Sequence, residues 1–130
     1  MDRNKLCYLR EYKADNYIYE LSERHIIYEL ANLKQLTFEV TDACNLKCKY
    51  CGYGEFYNTH DKRENKYLDF KTAKIVIDYL YDIWRKFPGS SNFRTVVVGF
   101  YGGEPLLNMN LIQQIISYLN SLPVIPHTVF

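Results

Sequence analysis

Three of the chain's four cysteines fall in the run Cys44-Asn45-Leu46-Lys47-Cys48-Lys49-Tyr50-Cys51, a C-x3-C-x2-C spacing. Spacing this short lets three thiolates converge on one small object. Thiolates are soft ligands that select zinc, copper(I) or an iron–sulfur cluster. Structural zinc takes four closed ligands, usually from two separated pairs, and no second pair follows here. Three readings stay open from spacing alone. Zinc could be completed by Cys7 or His60, Cys48 and Cys51 could form a C-x-x-C redox pair that leaves Cys44 unexplained, or three cysteines could hold an iron–sulfur cluster with one iron left open.

The flanking sequence places this loop. Leu36-Thr37-Phe38-Glu39-Val40-Thr41 alternates and is rich in β-branched and aromatic residues, so it reads as a strand. The cysteines thus follow a strand, where parallel α/β folds put their chemistry. A second strand, Thr95-Val96-Val97-Val98-Gly99-Phe100-Tyr101, is continuously apolar, which predicts burial on both faces of a parallel sheet. It runs into Gly102-Gly103-Glu104-Pro105. Two glycines permit a close backbone approach to a ligand, Glu104 offers an acceptor, and Pro105 stiffens the exit. Taken alone, without the cysteines, this second motif reads first as an ordinary strand-to-helix turn.

Composition narrows the class. The chain has 130 residues, is 48% hydrophobic, and carries 16 basic against 15 acidic residues for a net charge of +1. That is a globular composition, with no general basic character to draw nucleic acid. No apolar run approaches the ~20 residues of a membrane span, and the expectation is a cytoplasmic protein. Three of its cysteines are clustered rather than spread, which argues against a secreted disulfide scaffold.

Together the two motifs resemble those of the radical S-adenosylmethionine (radical SAM) enzymes. Thr41 to Cys51 looks like their cluster loop, and Tyr101-Gly102-Gly103-Glu104-Pro105-Leu106-Leu107 looks like their glycine-rich strand end. The wording is nearest the SPASM-type, sulfatase-maturing-like branch that matures peptides and proteins, and the resemblance covers residues 34–130. It implies that Cys44, Cys48 and Cys51 hold a [4Fe-4S] cluster whose fourth iron chelates S-adenosylmethionine. It also implies that Tyr50 and Tyr53 lie near the adenine, where plain packing is the competing reading. By the same resemblance, Gly102, Gly103 and Glu104 would receive the methionine ammonium through backbone carbonyls or the carboxylate, and Pro105 would shape that turn. The implied chemistry is one-electron cleavage of the sulfonium to a 5′-deoxyadenosyl radical that abstracts hydrogen from a peptide or protein substrate. The resemblance also implies an electron donor such as flavodoxin or ferredoxin. The implied fold is the N-terminal part of a partial (β/α)6 barrel.

The remaining elements follow from periodicity. Asp69 reads as an N-cap, and Phe70, Ala73, Ile77, Leu80 and Trp84 recur at helical spacing until Pro88-Gly89. Asn108 reads as the cap of a second helix with Ile112, Ile115, Ile116, Leu119 and Leu122 on its apolar face, and His127 to Phe130 begins a third strand. The segment 52–67 is a loop, glycine- and aromatic-rich at first and then a solvated run of charges that contains His60. Residues 1–33 read as a β-rich extension, with strands expected at 6–12 and 17–21 around an Asp15-Asn16 turn. Ile26 to Leu30 is a third strand or a short helix. That extension is a cover packed on the barrel or an element that captures peptide. The barrel pattern stops in its third unit, so the chain reads as a piece of a longer protein. The alternative function is a non-catalytic zinc or iron–sulfur module that binds peptide, or an inactive fragment.

Overall fold

The computed structural model describes residues 22–52, 63–87, 95–123 and 127–130. Its elements are α1 (Glu23–Ala31), β1 (Gln35–Thr41), α2 (Phe70–Lys86), β2 (Thr95–Gly102), a short 3-10 turn (Pro105–Asn108), α3 (Met109–Ser121) and β3 (His127–Val129). The strands form one parallel sheet in the order β1-β2-β3. Each strand therefore pairs with the next one in sequence, across a connection that carries a helix.

Both crossover helices lie on one face of the sheet. Phe38 and Val40 of β1 and Val96 and Val98 of β2 pack against Ala73, Ile77, Leu80 and Trp84 of α2 and Leu111, Ile112, Ile115 and Leu119 of α3. Residues two apart on a strand share a face, so one set of alternate positions fills this core. The expectation that β2 is buried on both sides is corrected here. Val96 and Val98 are buried, whereas Val97 between them is 46% exposed and Tyr101 is 51% exposed. The second face meets no described helix, so its apolar residues stay accessible. The register sets Phe38 opposite Phe100, whose rings stack at 6.4 Å.

Each helix starts and stops where local chemistry dictates. Asp69 accepts from Thr72 N and from the Thr72 hydroxyl, both at 2.9 Å, filling the role of N-cap. At the other end Arg85 and Lys86 occupy the last turn, where cations oppose the helix dipole. Phe87, the residue before Pro88, has already left helical geometry. Hydrogen bonds from Thr72 hold the Asp69 carboxyl below its ordinary range. A depressed folded value means the cap's contribution is complete above the unfolded carboxylate pKa, near ~4. It is lost as pH falls through the folded value. Asp69→Asn, which keeps the acceptor oxygen, should retain most of the thermal stability while flattening its decline below about pH 4. Asp69→Ala should lower the melting temperature at neutral pH; thermal melts across pH 2 to 7 check both.

Between 23 and 31 the helical alternative holds. Ser22 caps α1 by accepting from His25 N, and Ala31 is buried. The Trp84 indole N–H donates to Leu30 O at 3.2 Å and ties α1 to α2. The strands expected at 6–12 and 17–21 lie outside the described residues. On α3, Leu111 joins the core, while Ile116 and Leu122 pack at its margin.

Candidate functional site

The site is built where β1 and β2 end side by side. Thr41 closes β1 and is the one buried polar side chain among the described residues. Its hydroxyl donates to Lys66 O at 2.7 Å and accepts from Ala43 N at 3.0 Å, so it is fully used in turning the chain. From there the cysteine loop leaves the sheet. Cys51 N donates to Cys48 O at 3.1 Å, which folds the second half of the loop into a turn. Cys44 Sγ accepts from Leu46 N at 3.4 Å. All three thiols are free and half-buried.

The strand end of β2 is stitched to the root of this loop. Gly103 N donates to Thr41 O and Glu104 N donates to Ala43 O, each at 2.8 Å. Gly102 has φ of +138°, and a Cβ there would stand 2.0 Å from Thr41 O. A Cβ on Gly103 would stand 2.3 Å from Ala43 O and 2.6 Å from Asp42 O. The two glycines thus make room for the backbone of the cysteine loop. Sequence reading assigned that room to a ligand. Glu104 accepts from Leu106 N at 3.1 Å through its own carboxylate, so in this structure it caps the 3-10 turn that Pro105 opens.

A third strip of chain completes the arrangement. Tyr67 bridges Thr41 in antiparallel fashion, and Leu68 N donates to Val40 O at 3.0 Å. The Asp42 carboxylate accepts from Glu64 N at 2.7 Å and Lys66 N at 2.5 Å. Asn65 between them has φ of 56°, a left-handed conformation that asparagine tolerates. This strap carries Arg63, whose guanidinium donates to Cys51 Sγ at 3.2 Å. Burial opposes ionisation of Arg63, but hydrogen bonds and charge from Cys44 and Cys51 outweigh it and hold the guanidinium above its ordinary range. Arg63 stands in the stretch expected to be a solvated run of charges, so that expectation fails at this residue. Asn108 also departs from expectation. Its side chain makes no cap; the amide donates to Val40 O at 2.8 Å and Leu68 O at 3.1 Å, pinning strap to strand.

Of the sequence-predicted residues, Cys44, Cys48, Cys51, Gly102, Gly103, Glu104 and Pro105 all lie at this end of the sheet. Tyr50 is 89% exposed, so it packs into no core; a hydrogen bond to Cys48, followed by the charge of Cys48, raises its phenol. Tyr53, His60 and Cys7 lie outside the described residues. The donor chemistry fits a thiolate-held centre: three free, accessible thiols on one loop with a cation against two of them. Among the described residues, no three His, Cys, Asp or Glu stand close enough to hold a metal ion in the arrangement seen. No described helix is long and apolar enough to cross a membrane.

Two curated proteins are similar in sequence. An uncharacterized protein of Methanocaldococcus jannaschii is 42% identical over 88 residues, which are 68% of this chain and 25% of that protein. The radical SAM cyclopropyl synthase TigE of Paramaledivibacter caminithermalis is 29% identical over 94 residues, 66% of this chain and 19% of that enzyme. The chain is thus similar to a radical SAM enzyme and spans a quarter or less of each relative's length. No protein-family model matches the chain. No solved structure matches it.

Proposed function

We propose that this chain forms the N-terminal part of a radical SAM enzyme of the peptide- and protein-maturing, SPASM-type branch. The observation that carries the reading is the pair of backbone hydrogen bonds that seats Gly103 and Glu104 on Thr41 and Ala43. They bring the three-cysteine loop and the glycine-rich strand end, remote in sequence, into a single site. The likeness to TigE supports the radical SAM part of the assignment.

In this reading Cys44, Cys48 and Cys51 hold a [4Fe-4S] cluster, and Gly102, Gly103, Glu104 and Pro105 form the wall that receives the methionine end of S-adenosylmethionine. Tyr50, exposed beside the thiols, and Tyr53 serve the adenine. When bound, the cluster supplies the low-potential electron that splits the sulfonium and so provides a 5′-deoxyadenosyl radical. The protein's own part is to fix the cofactor's orientation between the two strand ends and to keep the site closed to competing reactions. The sequential strand order, with α2 and α3 on one face, supports reading the sheet as part of a (β/α)6 barrel whose inner face carries Thr37, Glu39, Val97 and Tyr101. A peptide or protein substrate, a flavodoxin- or ferredoxin-type donor and a cytoplasmic setting belong to the same reading.

The test is anaerobic reconstitution with iron and sulfide, then electron paramagnetic resonance of the reduced protein with and without S-adenosylmethionine. A [4Fe-4S] signal that changes shape on adding S-adenosylmethionine is the expected result. Stoichiometric zinc in a colourless protein that ignores S-adenosylmethionine would overturn the reading in favour of a binding module.

A further inference from the structure

Arg63 is the described cation seated against the cysteine loop, and its position is built rather than incidental. The strap that carries it is held at three points: Asp42 accepts from the backbone N–H groups of Glu64 and Lys66, the Thr41 hydroxyl donates to the carbonyl of Lys66, and Tyr67 bridges Thr41. Asn65 adopts the left-handed conformation that lets the N–H groups on either side of it reach one carboxylate, a nest filled by an internal anion. Asp42 lies between the end of β1 and Cys44, so the residue that starts the cysteine loop also anchors Arg63. The guanidinium is planar, permanently charged and forked, which suits it to contact two sulfurs at once. It donates to Cys51 at 3.2 Å, and the sulfur of Cys44 also acts on its charge.

We propose that Arg63 is a positioning residue of the thiol centre. It draws Cys44 and Cys51 together across the loop, and it stabilises the extra negative charge that the centre gains on reduction. Asp42 acts through it by fixing the strap. The second half of the proposal rests on the iron–sulfur reading above; the first half does not. Hydrogen bonds and charge at the sulfurs are among the protein's levers on cluster potential. Loss of a nearby cation disfavours the reduced form, so the midpoint must move to more negative values.

Two measurements separate the halves. Without metal, a Cys7→Ser/Cys48→Ser background leaves Cys44 and Cys51 as the dithiol available to phenylarsine oxide, a reagent that needs two thiols within reach of one arsenic atom. Adding Arg63→Gln, or Asp42→Asn in a parallel variant, should weaken capture at least tenfold; unchanged capture overturns the proposal whether or not a cluster forms. In the reconstituted chain with all its cysteines, Arg63→Gln should lower the cluster midpoint by about 59 mV, tenfold in the one-electron equilibrium constant. Arg63→Lys should recover part of that shift, because it keeps the charge but loses the fork. An unmoved midpoint in a fully loaded Arg63→Gln protein overturns the electrostatic role. Arg63-dependent capture in the double-serine background, together with a wild-type chain that takes up no cluster, would sustain the positioning role and sink the iron–sulfur reading instead.

Discussion

Replacing Cys44, Cys48 or Cys51 singly by alanine should reduce reconstituted iron from about four per chain to background, while Cys7→Ala leaves it unchanged. The reason is valence as much as geometry. A cubane cluster held by three thiolates already has one iron without a protein ligand, and two thiolates leave a second corner open to water and loss. The three thiols are free and half-buried on one loop. The zinc reading makes a different forecast, because a four-ligand ion completed by Cys7 or His60 would be sensitive to those residues as well. Metal analysis of the five alanine variants, at Cys7, Cys44, Cys48, Cys51 and His60, decides between the two. Loss of iron from Cys7→Ala alone would show that the assignment of three loop ligands is wrong.

The sequence carried the elements better than it carried their roles. β1, α2, β2 and α3 are legible because their apolar spacing and end signals agree: Asp69 before α2, Pro88 after it and Pro123 after α3. The burial of β2 was misread because Val97 is as apolar as the buried Val96 and Val98. A run of valines does not reveal which side its helices will take. The segment 23–31 was ambiguous because a short apolar run satisfies both periods, and its tie to Trp84 is made with a residue far along the chain. The site shows the same division. The cysteine spacing is local and could be read. The strap could not, since Arg63 stands among Asp61, Lys62 and Glu64 in what looks like a solvated charge run. Only the contacts of Asp42 and Asn108, made across β1 and the strap, show that this part of the loop is docked.

Gly103→Ala should destabilise the chain by about 2–4 kcal/mol and sharply reduce iron loading with all three cysteines in place. The added Cβ would lie 2.3 Å from Ala43 O, 2.6 Å from Asp42 O and 2.7 Å from Ala43 C. Each of those is backbone, so relief requires moving the root of the cysteine loop rather than rotating a side chain. Such a movement breaks the hydrogen bonds from Gly103 N and Glu104 N, each worth about 1 kcal/mol net. Gly102→Ala adds an unfavourable positive φ to a 2.0 Å contact with Thr41 O and should be at least as damaging. Two glycines outside this stitch serve as controls. Gly99 would meet only the Thr37 side chain, at 3.3 Å, and a Cβ on Gly52 would meet nothing within 4 Å among the described residues. Alanine at either should change the urea midpoint little and leave iron uptake intact. The comparison separates two uses of glycine that look alike in the sequence. If the pair serves only to admit a ligand, Gly103→Ala should leave the unliganded chain as stable as wild type and weaken only S-adenosylmethionine binding. If it holds the two motifs in register, stability and cluster loading fall together before any S-adenosylmethionine is added. The short backbone contacts make the second outcome the expected one, and urea titration of the metal-free protein is sufficient to read it.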